Sequence, residues 1–202
     1  MTRMHRSLIG PLAMATGAVF VLAQLVQKLT FIEGDRTATI TNPWFAAAQV
    51  TYFGAFCLLM LTLVGLYAVQ AGHAGRIGLV AFAVAVVGTM ALSGDLWFDA
   101  FAGPWIIGNE PDLANHPSGS LMAGAFTSYA LFAVGWALFG LASLRARVFP
   151  ALLSIALVVG GVAGFFALMA PFGIPLGIAI FALGGWLVTV TEPRYARTAI
   201  AV

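Results

Sequence analysis

Six stretches of this 202-residue chain each run for about twenty residues with almost no charge. At 1.5 Å per residue, that is the length a helix needs to cross the ~30 Å hydrocarbon core of a bilayer. Within lipid every backbone N–H and C=O must be satisfied inside the segment or by a closed barrel, and uninterrupted runs of this length without alternation are helical. The spans are placed near residues 8–28, 46–70, 77–98, 120–143, 149–169 and 173–190, within a single transmembrane domain over 1–202. Breaker residues separate them: a polar segment Glu33–Asn42, a Gly-rich turn Ala71–Arg76, a loop Phe101–Gly119, a turn Arg145–Phe149 and the corner Pro171–Pro175. The expected fold is all-α, a polytopic integral membrane bundle of six transmembrane helices.

Composition closes off the alternatives. Hydrophobic residues make up 61% of the chain and charged residues 8%, against roughly 25% charged in a soluble domain, and the mean hydropathy is +1.00. A net charge of +2 provides no basic surface for a nucleic-acid backbone, so nucleic acid is not an expected partner. The single cysteine, Cys57, can build neither an intrachain disulfide nor a cysteine zinc site.

The cations are segregated. With six spans, Arg3, Arg6, Arg76, Arg145, Arg147, Arg194 and Arg197 fall on one side, which the positive-inside rule assigns to the cytoplasm together with both termini. The other side receives Lys28 and Arg36 and collects Glu33, Asp35, Asp95, Asp99, Glu110 and Asp112. The basic start of the first span and the small residues near Val21–Ala23 also allow a cleaved signal peptide. The run stays apolar on both sides of that point, which favours a retained helix.

Two stretches resemble each other. Val64-Gly65-Leu66-Tyr67-Ala68 leads through Arg76 to Val86-Val87-Gly88, and Phe139-Gly140-Leu141-Ala142-Ser143 leads through Arg145 to Val158-Val159-Gly160. This pattern allows an internal two-helix repeat, the second and third helices recurring as the fourth and fifth. Gly160 with Gly164, and Gly173 with Gly177, have the four-residue spacing of close helix approach, read either as packing inside the bundle or as a homodimer face.

Polar side chains inside spans are costly, so their position is informative. Gln24, Gln27 and Lys28 share a face of the first helix, Gln49 and Tyr52 open the second, Asp95 and Asp99 close the third, and Ser128 and Tyr129 lie early in the fourth. All stand toward the extracytoplasmic ends, and the inner halves read as nearly pure hydrocarbon. No charged column crosses the membrane, which argues against an ion channel or proton pump. Asp95 and Asp99, four residues apart, are the candidate catalytic pair: two close carboxylates in a low dielectric do not both ionise easily, and one can serve as a general acid. The competing reading is an interfacial charge anchor inside an aromatic belt of Trp44, Trp97 and Trp105. His116, with Glu110 and Asp112, matches no metal-ligand spacing, so no metal and no cofactor are expected.

The run Leu63-Val64-Gly65-Leu66-Tyr67-Ala68, the Gly-rich turn to Arg76 and the apolar helix after it resemble the small uncharacterised multi-pass membrane proteins of high-GC Gram-positive (actinobacterial) type. Eight Arg against one Lys, with abundant Ala, Gly and Val, accord with that coding bias. The resemblance implies a bundle fold and a bacterial plasma-membrane location, and brings no functional family and no catalytic residues.

Three functions remain open, and whether the chain is an enzyme is open with them. One is an outer-half pocket for a hydrophobic small molecule of isoprenoid, quinone or lipid class. Its ligand-binding residues are Gln24, Gln27, Lys28, Gln49, Tyr52, Trp97, Phe126, Ser128 and Tyr129. In its enzymatic form Asp95 or Asp99 protonates an alkene or epoxide, as in terpene cyclases, and aromatic faces stabilise the cation. The second is a non-enzymatic subunit of a larger membrane complex, and the third a small transporter. Expected partners are membrane lipids, the small-molecule ligand, and a second copy or a membrane-complex protein.

Overall fold

The computed structural model describes residues 3–32, 36–110, 112 and 116–191, and every regular element among them is helical. In chain order these are α1 (Arg3–Thr30), α2 (Arg36–Thr41), α3 (Phe45–Trp97), a π-helical turn Phe98–Ala102, α4 (Gly103–Asn109), α5 (Gly119–Ala146), α6 (Ala151–Ala163), a 3₁₀ turn Gly164–Phe166 and α7 (Ile174–Thr191). Among the described residues three helical stretches, Leu8–Thr30, Phe45–Asn109 and Gly119–Ala146, are long and apolar enough to cross a membrane. Ala151–Phe166 and Ile174–Val190 are apolar but shorter.

Helix α3 is not one rod. In a straight helix Tyr67 and Phe82 would stand about 22 Å apart, yet their rings stack with centroids 4.2 Å apart and planes within 10°. Gly75, at φ 58° and ψ −157°, reverses the chain between them, a conformation that essentially only glycine tolerates. The two arms of α3 therefore run antiparallel, and the Gly-rich turn expected over Ala71–Arg76 is realised at this single residue.

The helices close a circuit in which each packs on its neighbours. Gly17 and Gly184 bring α1 and α7 together so tightly that a Cβ on Gly17 would stand 2.5 Å from the Gly177 carbonyl oxygen. The first arm of α3 meets α1 through a 2.7 Å hydrogen bond between the Thr16 and Thr62 hydroxyls. Its second arm meets α5 where Gly135 backs onto Ala85 and where Trp136 Nε1 donates to Thr89 Oγ1 at 3.0 Å. Gly161 sits against Ala137 between α6 and α5, and Gly160 against Leu176 between α6 and α7. Gly164 meets the Phe132 ring, and Gly173 meets Phe20 and Gln24. All four glycines of the GxxxG spacings thus meet a neighbouring element of the same chain.

Three local expectations change. The segment expected as a loop from Phe101 continues as the π-helical turn and α4 up to Asn109, and the polar segment before α3 contains α2. Ile40 of α2, Phe45 and Ile107 of α4 bury one another, so these short helices cap one end of the bundle instead of looping freely. The inner halves are not pure hydrocarbon either: Thr62, Gln70, Ser143 and Ser154 are fully buried there. Ser143 and Ser154 donate back to the carbonyls of Phe139 and Pro150, which hides a hydroxyl at low cost. Glu33, Asp35, Asn115, Arg194 and Arg197 lie outside the described residues.

Candidate functional site

At one end of the bundle the chain between α6 and α7 abandons the helix. The 3₁₀ turn is followed by successive tight turns, from Ala167 N–H to Gly164 C=O through Ile174 N–H to Pro171 C=O, and several backbone groups are left without helical partners. Irregular backbone away from water is tolerated only where other groups satisfy it. The glutamines of α1 do so. Gln24 Nε2 donates to the Ala167 carbonyl at 2.6 Å, Gln24 Oε1 accepts from Gly173 N–H at 3.0 Å, and Gln27 Nε2 donates to the Leu168 carbonyl at 2.8 Å. The Tyr52 hydroxyl completes the group, accepting from Gln24 Nε2 at 2.6 Å and donating to Ala167 O at 2.5 Å.

Gln24, Gln27 and Tyr52 are thus brought together, as their shared polarity suggested, but their hydrogen-bonding capacity is directed at the chain's own backbone. Lys28, expected on the same face, is exposed, while Gln27 before it and Thr30 after it are buried. Beneath the cluster lies a continuous aromatic layer. Phe20, Tyr52 and Phe56 contact one another with ring centroids 5.2 to 5.3 Å apart. Phe56 meets Phe132 at 5.3 Å, and Phe132 continues to Trp136. This layer separates the polar end of the bundle from the rest of the core.

The second polar group lies on the seam between the second arm of α3 and α5. Asp95, in the last turns of α3, is half-buried and hydrogen-bonded to Ser128 of α5. Ser128 Oγ is also 3.2 Å from the Gly124 carbonyl. The other carboxylate oxygen, Asp95 Oδ2, is buried and has no partner among the described residues, and the same holds for Gln49 Oε1, whose side chain is buried on the first arm of α3. The register set by Tyr67 on Phe82 puts Gln49 opposite residue 100, about 8 Å along the axis from Asp95. Asp99, four residues on, lies within the π-helical turn Phe98–Ala102.

The aromatic candidates divide. Tyr129 is half-buried and edge-on to Phe126 and to Phe165, at 6.2 and 6.4 Å. Trp97 is 52% exposed and packs on Phe101, and Trp44 and Trp105 are 70% and 67% exposed, the exposure that an interfacial belt requires. His116 is exposed, its ring 3.3 Å from the Asp112 carbonyl.

Gln70 was missed by sequence reasoning. It is fully buried in the opposite half, and neither its amide oxygen nor its nitrogen has a partner among the described residues. A glutamine in the interior of an apolar run was the available signal. No family model, curated protein or solved structure matches the chain.

Proposed function

We propose that this chain crosses a bacterial plasma membrane six times, with both termini on the cytoplasmic side. In its outer half it binds an amphipathic small molecule of isoprenoid, quinone or lipid class, between Asp95, Ser128 and Gln49. Support for six crossings comes from the reversal at Gly75, which makes two antiparallel arms of α3, and from the apolar outward faces. Leu22, Leu61, Val134, Val159 and Ile178 are all half-exposed or more near the middles of their helices, an arrangement suited to lipid and costly in water. The suspected repeat also has support, since its matched glycines Gly65 and Gly140, and Gly88 and Gly160, are all sites of close approach by a neighbouring element.

The single observation behind the ligand reading is the pair of buried acceptors, Gln49 Oε1 and Asp95 Oδ2, that have no partner among the described residues. A buried unpaired acceptor costs about 1–3 kcal/mol, whereas the buried Gln24 and Tyr52 are satisfied by each other and by backbone. Acceptors in this position match a ligand with hydroxyl or amine donors on an apolar body, such as an isoprenoid alcohol, the reduced quinol form of a quinone or a lipid headgroup. In the enzymatic form of the reading Asp95 is the acid that delivers a proton, and Trp97, Phe126 and Tyr129 are the aromatic groups whose faces stabilise a cation.

The test is native mass spectrometry of the protein extracted with its own lipids, beside a Gln49→Leu/Asp95→Leu variant, in which both acceptors are replaced by groups that need no partner. A small molecule held by the wild type and lost from the variant is the expected result. A wild type that carries no such molecule, or a variant that retains it, overturns the reading.

A further inference from the structure

Close approach and divergence of two helices create a groove at the other end of the bundle. The second arm of α3 and helix α5 touch most tightly where Gly135 backs onto Ala85. Moving about 6 to 10 Å along the axis toward Gly75, the contact surface is carried by the small side chains of Ala81 and Ala142, both buried. They form the floor of a groove of about 440 Å³. Its walls are Ile77, Val80, Leu138 and Leu141, side chains 38% to 60% exposed on the outer surface of the bundle. Arg76 and Arg145 also line it, one just after the chain reversal and the other in the last turn of α5.

Among the described residues nothing compensates these two cations. The described acids Asp95, Asp99, Glu110 and Asp112 all belong to the opposite end of the helices, and among the described residues no carboxylate pairs with either arginine. An occupant of this groove must therefore present negative charge to two guanidinium groups and hydrocarbon to the walls below them. Phosphate oxygens suit the planar donor fork of arginine. From Leu138 to Arg145 the trough extends about 10 Å, roughly two thirds of one leaflet's share of a ~30 Å hydrocarbon core.

We propose that this groove is a binding site for one anionic phospholipid of the leaflet facing Arg76 and Arg145, its phosphate between the two arginines and the upper part of an acyl chain along Val80 and Leu141. Basic grooves between transmembrane helices on the cytoplasmic side are suited to such headgroups. The site is separate from the Asp95–Ser128 seam and shares with the reading of that seam only the membrane crossing.

The test uses the full-length protein in detergent, titrated with phosphatidylglycerol or phosphatidylcholine and followed by native mass spectrometry. Beside the wild type stand Arg76→Gln/Arg145→Gln and Arg147→Asn, the latter removing a nearby charge that does not line the groove. The wild type is expected to hold one phosphatidylglycerol about tenfold more tightly than phosphatidylcholine. The double variant should fall to the phosphatidylcholine level and Arg147→Asn should keep the preference. Equal binding of the two lipids by the wild type overturns the proposal, as does an equal loss in Arg147→Asn, which would reveal a diffuse basic surface. Displacement of phosphatidylglycerol by excess inorganic phosphate also overturns it, since the site would then be one for a soluble anion.

Discussion

Gln24 Nε2 lies 2.6 Å from the Tyr52 hydroxyl, and both groups also reach the Ala167 carbonyl, so one buried triangle ties α1 and the first arm of α3 to the turn before α7. The two side chains are not equivalent within it. Tyr52→Phe removes one hydroxyl and leaves Gln24 on both of its backbone partners, for an expected loss of about 1 kcal/mol. Gln24→Leu strands Gly173 N–H and removes a donor from Ala167 O and from Tyr52, for an expected loss of about 3 kcal/mol. Thermal unfolding in one mild detergent checks the order, with Gln24→Leu melting well below Tyr52→Phe.

Gly75 and Gly72 have open space where a Cβ would stand, so any difference between their alanine variants comes from backbone conformation. Gly75→Ala must hold φ 58° with ψ −157°, at a cost of about 1–3 kcal/mol. Gly72→Ala lies in regular helix and should gain about 0.5–1 kcal/mol. Opposite shifts in melting temperature are the expected outcome.

Adjacent glycines in α7 make a similar pair for packing. A Cβ on Gly184 would stand 2.6 Å from Met14 N and 2.7 Å from the Gly10 carbonyl oxygen, whereas one on Gly185 meets nothing within 4 Å. Gly184→Ala should therefore lose about 1–3 kcal/mol by forcing α1 away, while Gly185→Ala should be neutral or slightly stabilising. Comparable losses at both sites would mean that α7 does not dock on α1 in this way.

These relationships mark how far the sequence could be read. Apolar run length located the helices, and Gly, Pro and Arg located their ends, because those constraints are local. The continuation of helix from Phe98 to Asn109 was not legible, since Ile107 is buried by Ile40 and Phe45 from distant segments. The polar positions were readable, their partners were not. Gln24 and Gln27 looked like ligand groups, and only the fold shows that Ala167, Leu168 and Gly173 face them across more than 140 residues of sequence. Asp95 and Asp99 share a face by spacing, and that a π-helical turn begins between them at Phe98 is not legible in the sequence.

The six-crossing topology makes its own prediction. With Cys57, which is exposed on the bundle surface, replaced by Ser, single cysteines at Trp105 and at Arg145 should react with a membrane-impermeant maleimide from opposite sides. In intact cells Trp105→Cys should label and Arg145→Cys should label only after lysis. Labelling of both in intact cells would contradict it.

The outer-half site rests most heavily on one carboxylate, which can be tested against its neighbour. Asp95→Leu and Asp99→Leu, extracted with native lipids and examined by native mass spectrometry beside the wild type, remove the same charge from positions four residues apart. The account predicts that the wild type and Asp99→Leu retain a bound small molecule and that Asp95→Leu loses it. Retention by Asp95→Leu, or equal loss from both variants, would contradict a ligand held at the Asp95–Ser128 seam.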